Sequence, residues 1–459
     1  MSSDTHALRA DKARTIPFYR TIPALARNPL KAFEEVGRQA DGAVVRLDLG
    51  PFRPYLISSP EHMQHVFRDN PDNYVREGML WRPLRRMFGE GLGSDGPAWA
   101  HRRRLIQPMF SAKNVDAVLD ELTRVIAEAV DALDPYARGA VPIDVRVEMT
   151  RIIHRALIRV FFGDGISTDD ADRLGQAITG AFTSLGARLL LPFVPESFPL
   201  PGDSSFLRST RMADDVVYPL IRRCREANGS TMDGRRDMVS LLCQQRDENG
   251  DPMDDQRVRN DMVSMFAGAS ETSAVTLTWL WVALDAHPQI ADRVYDEIDR
   301  VVGAGPLVPA HLGDLTYTKM VLQELLRLYP VGWIIPRMAR ESDVVDGALI
   351  PGGSTVLLSP YLAHRMQRLW ERPAVFDPER FSPERSQRRH RFAYLPFGGG
   401  AHQCLGSHFF IVEAQLIVAA LLHRYRPVLV GSAPITAQPA ATLRPRQRVE
   451  VVLRYRVPQ

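Results

Sequence analysis

The ten residues FGGGAHQCLG, 397–406, decide how this chain is read. They set one of only three cysteines, Cys404, in a glycine-rich turn beside His402. Glycine runs commonly cradle phosphate, but here the spacing fails. A dinucleotide fingerprint requires a third glycine after Gly398 and Gly400, and Gln403 stands there. A mononucleotide loop requires lysine after its last glycine, and Ser407 follows Gly406.

Two readings of the segment remain. Cys404 is a small core residue, or it is a single thiolate ligand to haem iron, pushing electron density onto the metal and favouring O–O cleavage. A ligand of that kind needs close backbone approach to a large flat cofactor, which glycine permits. It also needs N–H donors near the sulfur, which a turn entering a helix supplies. The apolar run from Ser407 to about Leu422 provides the helix, Phe397 an apolar shield for sulfur, and His402 a side chain able to meet a haem propionate.

Composition narrows the class. The chain has 459 residues, 45% of them hydrophobic and 24% charged, which is that of a globular protein. Its 57 basic and 54 acidic residues nearly balance, so global charge gives no footprint for nucleic acid. Cys224, Cys243 and Cys404 form no disulfide framework and no Cys-x-x-Cys clip, and three thiols are too few for an ordinary iron–sulfur cluster. Sparse cysteines point to a reducing, cytoplasmic setting. No apolar run reaches the length of a signal peptide or membrane span, so no membrane anchor is expected.

Working outward, short β signals stand at 42–49 and 53–59, joined by Gly50-Pro51-Phe52 as in a hairpin. Others stand at 344–350, 354–358 and 449–455, and strands from both ends of the chain are expected to share one sheet. Between them the apolar spacing is helical at 112–134, 144–162, 168–186, 207–227 and 288–302. Residues 191–205, with four prolines, read as a loop, and 225–237 as a polar connection. From about Asp255 to His287 no proline intervenes until Pro288, which predicts a helix of roughly 30 residues and about 45–50 Å. Its apolar middle holds Glu271 beside Thr272, and a carboxyl buried there is costly without a partner or a task.

The segment Phe397-x-x-Gly400-x-His402-x-Cys404-x-Gly406 resembles the haem-binding signature of the cytochrome P450 family, which more often has arginine where His402 stands. Three further motifs are similar. Glu324-x-x-Arg327 and Arg380 match a buried Glu–Arg–Arg network. GASETS, 268–273, matches the oxygen-activation segment, with Ala269 where the family prefers glycine. Trp99-x-x-x-Arg103 shares one helical face, and with Arg337 matches residues that meet the haem propionates.

The resemblance implies a mainly α fold with a small β-rich region, a P450-like helical prism whose long central helix runs over the haem. It implies one domain over residues 1–459, with β-rich parts at about 40–60, 344–360 and the C-terminal strands, and helical parts at about 97–330 and 405–423. It implies haem b held by Cys404, with Glu271 and Thr272 delivering protons to bound dioxygen. It further implies a monomeric, cytoplasmic bacterial monooxygenase of secondary metabolism. Electrons would come from a ferredoxin and its reductase, for which Arg102 and Arg104 offer a basic patch unless they are simply solvated. The substrate would be a small to mid-sized apolar molecule that meets Phe266, Ala269, Trp333, Ile335 and Leu443, with 191–205 as a lid. Oxidative coupling or desaturation without oxygen insertion is the alternative. Cys224 and Cys243 read as structural.

Overall fold

Strands Val45–Leu47 and Tyr55–Ile57 form the early hairpin, with Val45 opposite Leu56, and Gly50 turns it at φ 79°. The computed structural model describes residues 11–89, 93–162, 166–191, 193–226, 238–247 and 249–456. Most of the polar connection at 225–237 therefore lies outside the described residues. The chain divides into two compact units. One comprises Met1–Arg82, Gly332–Val375 and Gln387–Cys404; the other comprises Pro83–Val331, Phe376–Ser386 and Leu405–Gln459.

The first unit is built on a six-stranded sheet in the order Arg14–Ile16, Val45–Leu47, Tyr55–Ile57, Thr355–Leu358, Ile335–Ala339, Tyr74–Val75. The early hairpin thus does pair with a late strand, Leu56 lying opposite Leu357 in parallel register. The other late strands differ from expectation. Asp343–Val345 and Ala348–Ile350 make their own hairpin, which pairs with Asp11–Lys12 in a separate sheet. Glu450–Tyr455 belongs to the second unit, between Tyr425–Leu429 and Ile143–Asp144. Pairing over hundreds of residues depends on tertiary packing, which β patterning does not specify.

The second unit is mainly helical. The long helix runs Asp255–Ala286, 32 residues. It starts where the Asp254 carboxylate accepts the Arg257 N–H, 2.8 Å, a side-chain N-cap, and ends before Pro288. Around it lie Val145–Phe162, Asp203–Glu226, Thr316–Leu328 and Ser407–Arg424. The expected 112–134 helix is two, Ala112–Asp116 and Leu119–Asp131. Helix Ser407–Arg424 is apolar enough by composition to cross a membrane, but most of it is buried inside the protein, as in a core helix.

The loop at 193–202 is tied from within. Buried Arg188 donates to the carbonyls of Pro195, 3.0 Å, and Phe198, 2.7 Å, and pairs with Asp203, 2.6 Å. Asp203 also accepts the Leu200 N–H, 2.9 Å, and pairs with Arg86, 3.1 Å. These bonds hold its carboxyl well below the ordinary carboxylate range.

Candidate active site

The cysteine turn lies at the edge of the first unit. The Cys404 N–H donates to the Phe397 carbonyl, 2.9 Å, closing the loop on itself. Gly398 and Gly400 have φ of 69° and 68°, values that side-chain-bearing residues rarely adopt. A Cβ on Gly400 would fall 1.9 Å from the Phe67 carbonyl oxygen, so only glycine brings the turn so near its neighbour. Cys404 itself is exposed. The core-cysteine reading is thereby set aside. A thiol presented on a flat, glycine-lined turn fits one face of a haem. Gly406 stands at the N-cap of helix Ser407–Arg424.

Basic groups gather in the same unit. Arg337 is 4% exposed, donates to the Pro336 carbonyl, 2.8 Å, and lies over the Phe67 ring, 5.5 Å from its centroid. Strand register pairs Val75 with Met338, so Arg76 comes next in line opposite Arg337. Arg76 also bonds His402 Nδ1, which makes the imidazole an acceptor there. Like charges facing across strands are unfavourable unless an anion joins them; a haem carboxylate is a fitting one. Arg76 escaped the sequence reading because its place depends on strand register. Trp333 is half-buried and edge-on to Phe33, 5.4 Å, while Ile335 packs against the core beside Gly398.

In the second unit, the long helix is buried almost throughout its middle. From Val258 to Trp281 the residues that are not buried are Ser264, Gly268, Ala269 and Thr272. Ser264, Gly268 and Thr272 recur every four residues, with Ala269 next to Gly268, and make one open stripe. A Cβ on Gly268 would meet nothing within 4 Å. Thr272 donates to the Gly268 carbonyl, 2.5 Å, the ordinary helix back-bond, which leaves its oxygen lone pairs as acceptors. Glu271 next to it is 7% exposed, and burial raises its carboxyl pKa, while Arg146 and Arg444 act against that rise.

Glu324 and Arg327 are fully buried, not a surface pair. Arg327 Nε and Nη2 reach the two Glu324 oxygens at 2.6 and 2.7 Å. Arg380 Nε lies 3.3 Å from Glu324 Oε1, which also accepts the Asp377 N–H, 2.9 Å. Trp99 and Arg103 share a face of helix Pro97–Ile106, both half-buried, with Arg103 Nε 3.4 Å from Gln107 Oε1.

Three expectations need correction. Arg102 is neither solvated nor part of a surface patch: it is 3% exposed and pairs with fully buried Asp261, 3.7 Å. Arg104 is exposed. Phe266 is fully buried against His154, 5.1 Å between ring centres, on the helix face opposite the open stripe. Leu443 is also fully buried; its carbonyl accepts the Trp279 indole N–H, 2.9 Å. Neither side chain offers a surface to substrate.

Two buried groups went unnoticed in the sequence. Glu413 is 1% exposed, has the Ser273 hydroxyl as partner, and burial pushes its carboxyl up to about 8. Its signal was a lone acid in the apolar run SHFFIVEAQLIVAALL. His154 bonds Ser270, just before Glu271, through Nε2. Burial lowers its imidazole from 6.5 to about 4. Between those values the unfolded chain takes up a proton that the folded one refuses. The stability His154 contributes is thus complete above pH 6.5 and lost as pH falls toward 4, by up to about 3 kcal/mol at 1.36 kcal/mol per pKa unit. His154→Gln will flatten that acid limb in urea titrations run across the window; an unaltered limb would assign the acid sensitivity to other groups.

Comparison with known proteins gives the family. A family model described as cytochrome P450 matches residues 12–452. Pentalenene oxygenase of Streptomyces avermitilis is 28% identical over 436 residues, covering 95% of this chain and 94% of its own. Cyclooctatin synthase of Streptomyces melanosporofaciens is 32% identical, covering 91% of this chain and 90% of its own. Cyclooctat-9-en-7-ol 5-monooxygenase of the same organism is 30% identical, covering 90% and 88%. The crystal structure of the cytochrome P450DA heme domain has the same fold, with a TM-score of 0.82 at 20% identity, covering 98% of this chain and 97% of that one. The chain belongs to the cytochrome P450 family of haem-containing monooxygenases.

Proposed function

We propose that this enzyme inserts one oxygen atom from dioxygen into a cyclic terpenoid hydrocarbon or monoalcohol, with electrons from a ferredoxin. The observation that carries the oxygen chemistry is the open stripe Ser264–Gly268–Ala269–Thr272 beside buried Glu271 on the long helix. The substrate class rests on the relatives, whose names specify an alkene and an unsaturated alcohol.

Haem b, when bound, supplies dioxygen binding, electron uptake and O–O cleavage. The remaining work falls to the protein. Cys404 ligates the iron. Arg76, Arg337 and His402 would hold propionates, a role that the family resemblance also gives Trp99 and Arg103, while Phe397, Gly400 and Gly406 shape the turn that presents the thiolate. Glu324, Arg327 and Arg380 brace the fold. Thr272, its own proton engaged by Gly268, accepts a hydrogen bond along the open stripe and steadies the donor there. Glu271 carries protons in from its buried position. Glu413 of helix Ser407–Arg424, neutral below about 8, keeps a further proton at its carboxyl against Ser273, the residue after Thr272 on the long helix. Ala269 lies on the open stripe and contacts the substrate there, Trp333 and Ile335 keep the substrate role that the family resemblance gives them, and exposed Arg104 takes part in ferredoxin docking.

The test is reconstitution with a ferredoxin and its reductase against a panel of cyclic terpene hydrocarbons and alcohols. Substrates are picked by their spin-state shift and products weighed. A product heavier by one oxygen is expected. Thr272→Ala will bind haem normally but yield about tenfold less product per electron pair, the balance appearing as hydrogen peroxide. Products lighter by two hydrogens would replace insertion by coupling or desaturation, and undiminished coupling in Thr272→Ala would remove its proton role.

A further inference from the structure

Cys224 and Cys243, unrelated by any sequence motif, meet in the structure. Cys224 lies near the end of helix Asp203–Glu226, and Cys243 near the end of helix Met238–Gln244. The Cys224 sulfur is 3.9 Å from the Ser240 hydroxyl. Ser240 and Cys243 are three residues apart on one helical face, which brings the Cys243 thiol near Cys224, close enough for the Cys224 sulfur to act on its ionisation. The two thiols thus share one contact between helices. They differ in access, since Cys224 is partly exposed and Cys243 is 8% exposed. Arg225, adjacent to Cys224, pairs with Asp255, 2.6 Å, the first residue of the long helix. The pair therefore stands close to where that helix begins.

We propose that Cys224 and Cys243 form a dithiol site oxidised by hydrogen peroxide, with Cys224 attacking the oxidant and Cys243 resolving the product. The Cys224 thiolate takes one oxygen from hydrogen peroxide, whose O–O bond breaks; with one proton, the other oxygen leaves as water, and Cys224 becomes a sulfenic acid. The Cys243 sulfur then displaces the hydroxyl from that sulfenic sulfur, forming the S–S bond, and the hydroxyl leaves with the Cys243 proton as a second water. In sum, two thiols and one hydrogen peroxide give one disulfide and two waters. Thiol exposure sets the order. Burial and the neighbouring sulfur raise the Cys243 thiol above its ordinary value, so it is the weaker attacker on free peroxide and reacts once Cys224 presents an electrophilic sulfur. The oxidant is one that a dioxygen-reducing enzyme generates whenever electrons miss their substrate. The bond ties the ends of two helices beside the start of the helix that bears Glu271 and Thr272.

The experiment uses the full-length, haem-loaded protein. It is exposed to a few equivalents of hydrogen peroxide, remaining thiols are capped with N-ethylmaleimide, and the digest is mapped by mass spectrometry. The expected result is a Cys224–Cys243 peptide pair two hydrogens lighter than the separate thiols and released by dithiothreitol. Cys243→Ser will accumulate Cys224 as sulfinic or sulfonic acid, and Cys224→Ser will leave Cys243 at least about tenfold slower to oxidise. Recovery of both cysteines as maleimide adducts in the wild-type protein would overturn the proposal. So would over-oxidation of Cys224 as fast in the wild type as in Cys243→Ser. The wild-type peptide map decides the matter even if a variant folds poorly.

Discussion

Cys404→Ala will give a folded protein that has lost its chemistry. The reduced carbon monoxide complex will no longer show the absorption typical of a thiolate ligand, and turnover will fall below detection. The two effects separate because of where Cys404 sits. Its side chain is exposed, so truncation leaves no cavity. The turn is closed by its backbone, Cys404 N–H to Phe397 carbonyl, and by the positive φ of Gly398 and Gly400. None of these depends on sulfur. Stability of the haem-free protein should therefore move by no more than about 0.5 kcal/mol, as for other exposed substitutions. Gly400→Ala supplies the opposite case. Its thiol is intact, but the new Cβ collides with the Phe67 carbonyl at 1.9 Å, so the turn must shift and haem retention falls with it. An unchanged spectrum in Cys404→Ala would sink the ligand assignment; a collapsed haem-free protein would show that the thiol is a packing group.

What could be read from the sequence was local. The turn at 397–406 fixed its meaning through neighbouring residue types, and the long helix through a proline-free run that Pro288 ends, each within a few positions of its effect. Glu324 and Arg327 lie three apart on one helix, so their contact followed from helical geometry. Contacts between distant segments could not be read this way. Arg102 looks like one of three consecutive surface arginines until Asp261 of the long helix faces it in the interior. Cys224 and Cys243 carry no motif, yet two helix ends bring them together. The C-terminal strand has the same β pattern as those at 344–358, and only packing assigns it to a different sheet. Phe266 shows a related limit. A helix face cannot be chosen from sequence without knowing which side opens. The stripe through Gly268 and Thr272 makes that choice, and Phe266 lies opposite. Glu413 had a legible sign, a single carboxyl in an apolar run, whose cost in a buried helix is the same argument that singled out Glu271.

Glu324→Gln will cost about 3–5 kcal/mol, the range for breaking a buried ion pair by removing one charge. The substitution preserves shape, so the loss reports charge and hydrogen bonding, not volume. Glu324 and Arg327 are fully buried and Arg380 is 3% exposed. One carboxylate therefore answers two guanidiniums, at 2.6 and 2.7 Å for Arg327 and 3.3 Å for Arg380, and takes the Asp377 N–H at 2.9 Å as well. An amide has one acceptor oxygen and turns an NH2 group toward the other donors. At least one guanidinium then faces a donor in a medium where water does not reach. Such a loss is a large share of the roughly 5–15 kcal/mol that holds a folded protein together, so haem retention and the urea midpoint should fall together. The exposed pair Arg426–Asp292, 3.2 Å with both side chains 58% exposed, is the control. Asp292→Asn there should cost about 1 kcal/mol or less, because solvent screens the charges it separates. Equal losses in the two variants, measured as midpoint shifts at unchanged m, would mean that burial lends the Glu324 network no special weight and that its role in bracing the fold must be abandoned.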